Sequence, residues 1–361
     1  MKSLLVIFLT IALILNILVF SSVKVFSDAS NKSVILVIGD GMGLPIISAY
    51  EYYKSEHLKK GYSNFAEFDG AFLVRTRSKD YVVTDSAAGA TAFAIGRRVP
   101  NYQVGELQEG KRIPTIMDIA KSKGKSTGIV VECSITHATP AAFYSYSASR
   151  KDDANIAKQL LYSNLDLVIS GGYKHFVEHQ DKLKSLGYTV LYGEEELREL
   201  IQTNKITEKL IVFTAYDHPP QYKQRKIKLE KKVEYALENL SRNPKGFFLL
   251  VEASQIDWYA HQNKIIEEID EMEDLDYALR IILNYAKNNQ NTLVLVLADH
   301  DCGGLSLVDY QAKIFTPEFK VKYSSDYHVA DHIVAFYKGY LKPKPIVDNT
   351  EVYYMLLDYL K

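Results

Sequence analysis

Apolar runs alternate with amphipathic stretches along most of this chain. Uninterrupted runs at 34–38, 126–131, 165–170, 210–214, 246–251, 292–298 and 333–337 read as strands. Between them, apolar residues at helical spacing predict helices near 89–95, 115–122, 154–161, 226–240 and 265–286. Strands that are apolar throughout are buried on both faces, and intervening helices imply parallel crossovers. The pattern predicts an α/β three-layer sandwich: a large, mostly parallel central sheet flanked by helices on both faces. No Gly/Pro/Ser linker, repeat or low-complexity tract interrupts residues 28–361, which read as a single domain.

The first 27 residues read differently. Lys2 precedes an uncharged apolar stretch at 4–20, followed by polar residues through Ser30. This is the layout of a signal peptide, with Ser27 a plausible cleavage position, or of an uncleaved N-terminal membrane anchor. On either reading the body is exported, to a periplasmic or extracellular location, and membrane contact arises only if the segment stays attached.

A formal net charge of -1 argues against a nucleic-acid footprint. The Lys-rich stretch 223–232 reads as the solvated face of an amphipathic helix whose apolar face carries Ile227, Val233, Leu237 and Leu240. With only two cysteines, Cys133 and Cys302, there is no disulfide framework, and both are expected to be unpaired.

Chemistry enters where the apolar runs end. The segment VILVIGDGMG ends on Asp40, FFLLVEASQIDWYAH carries Glu252, Asp257 and His261, and TLVLVLADH ends on Asp299 and His300. Charge at a buried strand end needs a partner or a metal. Ligands of such sheets gather at the carboxyl ends of the strands. Asp257 and His261 are four apart, so a helical turn places them on one face, a spacing that suits two ligands of one zinc. Asp85 and Ser86 open the small-residue stretch AAGATA. They are ordinary helix caps, yet the same helix terminus presents free N–H groups to an anion. In THATPAAFYSYSASR, Thr139 offers a hydroxyl to a hard cation and Arg150 a planar fork for two phosphate oxygens.

The ordered series GDGMG, TDSAAGATA, THATPAA…SR, VEASQIDWYAH and ADHDCGG resembles the alkaline phosphatase family, over about residues 34–339. The resemblance implies a ten-stranded, mostly parallel sheet and a metal-dependent phosphomonoesterase, commonly homodimeric, acting on small-molecule phosphate monoesters. It implies Ser86 as the nucleophile that becomes phosphoserine, and Arg150 as the phosphate clamp. Asp257, His261 and a later histidine would hold one Zn2+. Asp40, Asp299 and His300 would hold a second, with Ser86 as its oxygen ligand during turnover. Asp40 would bridge to a Mg2+ completed by Thr139 and Glu252.

Two histidines compete for the later position. Counting back from Gly339, where the family has a strand ending in glycine, favours His328 over His332. His137 and Trp258 stand where the best-known enterobacterial form has Asp and Lys; with Asp85 they are expected at the substrate pocket or beside the third metal. His175 and His179 fall in a segment that resembles a structural part of the family, and His57 and His218 read as loop or surface residues. The alternatives are a phosphodiesterase or sulfatase of the same metalloenzyme superfamily, or an inactive exported protein that binds metal or phosphate.

Overall fold

The computed structural model describes residues 31–203, 205–308 and 320–361; the leader lies outside them. Ten strands form the central sheet: β1 (Ser33–Gly39), β2 (Gly70–Arg75), β3 (Ser126–Ser134), β4 (Leu167–Gly171), β5 (Thr189–Tyr192), β6 (Leu210–Phe213), β7 (Phe247–Ala253), β8 (Thr292–Leu297), β9 (Ile333–Lys338) and β10 (Ile346–Asp348). Their spatial order is β10-β2-β9-β8-β1-β7-β3-β4-β6-β5. All pairings are parallel except those of β9, which runs against both β8 and β2.

Strands β1, β4, β7 and β8 are buried at every position, so both sheet faces are covered, as their unbroken apolar character requires. The covering helices include α1 (Ser86–Ile95), α2 (Ala138–Ala142), α3 (Leu229–Leu240), α4 (Ile256–Ala260), α5 (Ile265–Asn288) and α6 (Asn349–Leu360). Helix α6 packs on α1, α1 on α2, and α3 on both β3 and α5.

The seven strands expected from the apolar runs are present, within two or three residues at each end. Three further strands carry no such run. β2 alternates between buried and exposed positions, β5 is only partly covered, and β10 is three residues long. They lie at or beside the two sheet edges, where one flank or face meets water and selection for apolar residues is weaker.

The register sets up the site. Ile38 lies opposite Leu297 on one side and Glu252 on the other, and Val131 lies opposite Glu252. Four adjacent central strands therefore end at one level, with Asp40, Glu252 and Asp299 at their carboxyl ends.

One expectation about charge is corrected. In the basic stretch 223–232, Arg225 and Lys232 are buried rather than solvated. The Lys232 ammonium donates to both Glu132 carboxylate oxygens at 2.8 Å. Arg225 bridges Glu271 and Asp274, each at 2.7 Å, and approaches Glu132. Lys232 sits on the apolar face of α3 because β3 offers a carboxylate there, a partner one hundred positions away that no local pattern reveals.

Removing one member of a buried pair strands the other's charge. Lys232→Ala is expected to lower stability by about 3 kcal/mol, read as a shifted urea midpoint. Its exposed neighbour in Lys231→Ala should cost less than about 0.5 kcal/mol.

Candidate active site

Ser86 is the first residue of α1. Asp85 caps the helix, its Oδ1 accepting the Ala88 N–H at 3.0 Å. The Ser86 hydroxyl lies 3.4 Å from Asp40 Oδ1, to which it donates, and 3.2 Å from His300 Nε2. Helix α1 comes this close to β8 because Gly89 faces the Asp299 backbone; a Cβ there would meet the Asp299 carbonyl oxygen at 3.0 Å.

Asp40, Asp299 and His300 form the first group able to hold a cation. Asp299 Oδ1 accepts the N–H groups of Gly41 and His300. That fixes the carboxylate and leaves Oδ2 unpartnered, 3.3 Å from His300 Nε2. Asp40 Oδ2 is likewise buried with no partner.

The second group is Asp257, His261 and His328, with Cys302 beside them. The Asp326 carbonyl takes the His261 Nδ1–H at 2.7 Å, and the Thr84 carbonyl takes the His328 Nδ1–H at 2.9 Å. Both Nε2 atoms therefore face inward, and the bond to Asp257 raises His261 to about 9, so without metal His261 keeps its proton. The two Nε2 atoms point at each other across 3.2 Å, and each lies 3.4–3.5 Å from an Asp257 oxygen. Lone pairs and carboxylate repel one another unless a proton or a cation lies among them. His328 stacks on His300 with ring centroids 3.5 Å apart, which ties this group to the first.

Cys133, His137 and Glu252 form the third group. The Cys133 thiol donates to Glu252 Oε2 at 3.3 Å, while Glu252 Oε1 and Thr139 Oγ1 are buried without partners.

The electrostatics agree with this geometry. Burial, then Asp299, Asp257 and Glu252, push the Asp40 carboxyl well above its usual range. Burial chiefly raises Asp299 to about 6 and Glu252 to about 7. Buried carboxylates crowded to this degree, with oxygens left over, fit divalent cations and little else. Across the pocket, Arg150 donates one N–H to Asp85 Oδ2 at 2.9 Å and another to His137 Nε2 at 3.3 Å. Burial, then Arg150 and His218, hold His137 down at about 3, so its ring is neutral and can accept.

The alkaline phosphatase family model matches residues 31–342. The chain belongs to the alkaline phosphatase family. It is 32% identical over 347 residues to alkaline phosphatase 4 of Bacillus subtilis, covering 88% of this chain and 74% of that protein. It is 35% identical over 293 residues to alkaline phosphatase 3 of the same organism, covering 76% of this chain and 62% of that one. Among solved structures, the alkaline phosphatase of the Antarctic bacterium TAB5 superposes with a TM-score of 0.79 at 31% identity, over 91% of this chain and 98% of that one. The cold-active enzyme of a Shewanella species gives 0.81 at 26%, over 91% and 100%. The fold is alkaline-phosphatase-like, and the family implies phosphatase chemistry with bound metal ions.

Within this family member, the expected ligands, with Ser86, Asp85, Arg150 and Trp258, lie in or beside the three groups. Trp258 packs edge-on against His137 at 5.9 Å. His328 is buried among the ligands, while His332 is exposed. His218 lies in a loop, as expected, but it is not isolated there. Its Nδ1 accepts the Ser134 N–H at 3.0 Å, and its ring meets Trp258 at 4.8 Å and His137 at 5.9 Å. Its place just past the carboxyl end of β6 was the available signal. Cys133 and Cys302 are separate free thiols, each bordering a candidate metal group, which the sequence showed only as nearness to motifs.

Gly41 adopts φ +70°, and a Cβ there would fall 2.8 Å from the Asp257 backbone. Gly41→Ala is expected to weaken metal-ion binding about tenfold or more, as for groups that support ligands, measured by chelator competition. A second expectation concerns pH. Glu252 and Asp299, raised from 4.5 and 3.8 to about 7 and 6, keep protons in the folded metal-free protein that the unfolded chain has released. The contribution of these two groups to the stability of the metal-free protein therefore falls as pH rises from about 4 to about 7, against the opposite contribution of His137 below about 6.5. Thermal melts with divalent metal ions added should lose that slope.

Proposed function

We propose that this chain hydrolyses phosphate monoesters to an alcohol and inorganic phosphate through a phosphoserine at Ser86, with two zinc ions and one magnesium ion. The observation that carries the reading is the Ser86 hydroxyl at a helix N-terminus, within 3.4 Å of Asp40 and His300 and across from Arg150. Asp257, His261 and His328 would hold one zinc, and Asp40, Asp299 and His300 the other. Asp40, Thr139 and Glu252 would hold magnesium, with His137 and Cys133 alongside. Two variants of the TAB5 enzyme, with a histidine replaced by Asp or Glu, have magnesium bound in the M3 site, in keeping with a third site of this kind.

When bound, such cations acidify coordinated hydroxyl groups and neutralise charge on phosphoryl oxygens. Arg150, held by Asp85 and His137, orients the phosphate through its remaining N–H donors, and the α1 terminus adds backbone N–H groups. The Ser86 oxygen attacks phosphorus in line as the ester P–O bond breaks and the alcohol leaves with a proton. Water then attacks phosphoserine, the Ser86 P–O bond breaks, and Ser86 recovers its hydroxyl hydrogen. Export of the body and homodimerisation belong to the same reading; they rest on the apolar leader and on the family resemblance.

The test is p-nitrophenyl phosphate hydrolysis by wild type and Ser86→Ala, before and after chelation, with zinc and magnesium added back. Turnover should vanish on chelation and return with both metals. Ser86→Ala should lower kcat by about three orders of magnitude. Faster hydrolysis of bis-p-nitrophenyl phosphate or p-nitrophenyl sulfate than of the monoester would overturn the monoesterase assignment. Metal binding without turnover of any ester would point to the inactive binding protein.

A further inference from the structure

A cavity of about 670 Å³ opens beside the second metal group, walled by Tyr81, Val82, Tyr102, Tyr327 and His328. Its volume suits a small organic group. Tyr81, Val82, Tyr102 and Tyr327 are 64%, 71%, 50% and 44% exposed, an aromatic and apolar wall facing solvent at the mouth of a site that is otherwise charged.

The wall is fixed to the candidate machinery. The Tyr327 ring stacks on His328 at 4.5 Å and 10°, and leans on His261 at 5.4 Å. Its hydroxyl meets that of Tyr102 at 3.3 Å. Tyr102 adopts φ +69°, a left-handed conformation that is costly for a bulky side chain. Its carbonyl accepts the Arg150 backbone N–H at 2.7 Å, so the backbone that carries the phosphate clamp is tied to the aromatic wall.

In-line transfer sets the direction. Ser86 touches the Asp40–Asp299–His300 group, so a leaving oxygen opposite it points toward Asp257, His261 and His328. The alcohol portion of the ester then extends past His328 into this cavity.

Resting on the phosphomonoesterase reading, we propose that Tyr102 and Tyr327 form a leaving-group subsite that selects monoesters whose alcohol carries a flat aromatic group. Nucleoside and arylalkyl monophosphates share that chemistry. Ring stacking supplies the preference, and the small contact area leaves non-aromatic esters as slower substrates.

The test uses two matched pairs, so that the reacting oxygen stays the same within each: adenosine 5′-monophosphate against ribose 5-phosphate, and 2-phenylethyl phosphate against n-butyl phosphate. For the metal-loaded wild type, kcat/KM should favour the aromatic member about tenfold, as one stacked ring allows. The ratio should collapse toward one in Tyr102→Leu and Tyr327→Leu, and persist in Tyr102→Phe and Tyr327→Phe. Preference in both pairs assigns the subsite to aromatic rings in general; preference in the nucleotide pair alone, lost in the leucine variants, narrows it to nucleosides. Equal rates within both pairs, or a preference that survives the leucine substitutions, overturn the subsite and leave the phosphatase reading intact. Failure to hydrolyse any of the four esters overturns that reading as well. Dissociation of an oligomer in either leucine variant, without a change in the ratio, would assign the wall to contact between copies of this chain instead.

Discussion

Four carboxylates, those of Asp40, Glu252, Asp257 and Asp299, are buried within electrostatic reach of one another at the carboxyl edge of the sheet. Among the described residues, Arg150, His261 and His328 offset only part of that concentration of like charge. Arg150 is its principal neighbouring cation, and Arg150 is already engaged with Asp85. His261, raised to about 9 by its bond to Asp257, keeps a proton beside His328 until a cation displaces it. The arrangement is stable in itself only with protons or divalent cations supplied from outside, and its unpartnered oxygens show where such cations fit. The fold and the chemistry thus share one requirement.

The sheet satisfies the geometric side of that requirement. Parallel strands in register end together, so a single turn after β1, β7 and β8 delivers its acid to one spot. Glycines permit the approach: Gly41 beside Asp257, and Gly89 where α1 meets Asp299. Helix α1 adds the serine because Asp85 serves twice, capping the helix with one oxygen and holding Arg150 with the other. A residue that reads as an ordinary cap therefore also orients the clamp, and its neighbour in sequence becomes the candidate nucleophile.

A second buried charge network, Glu132 with Arg225, Lys232, Glu271 and Asp274, lies one residue from Cys133 of the third group. Unlike the metal-binding groups it contains its own cations, and its contacts are complete. Gln255 reaches the Glu132 carbonyl and so joins this network to the turn that carries Asp257. The contrast separates the two uses of buried charge in this protein: paired charge holds elements together, and unpaired charge of one sign makes a place for metal.

The sequence by itself determined the sheet's central strands, because strands covered on both faces must be apolar throughout, and an acid ending such a run stands out against them. It determined the Asp257 and His261 pair, because helical spacing is local, and the family, because five short motifs recur in order. Tertiary structure alone decided the rest. The edge strands β2, β5 and β10 lacked the apolar signature because the edges are less covered. His218 joined His137 and Trp258, Lys232 found Glu132, and Tyr102 met Tyr327, each through contacts between distant segments. Burial and charge compensation are properties of the neighbours a residue acquires on folding, and a linear pattern records only those it already has.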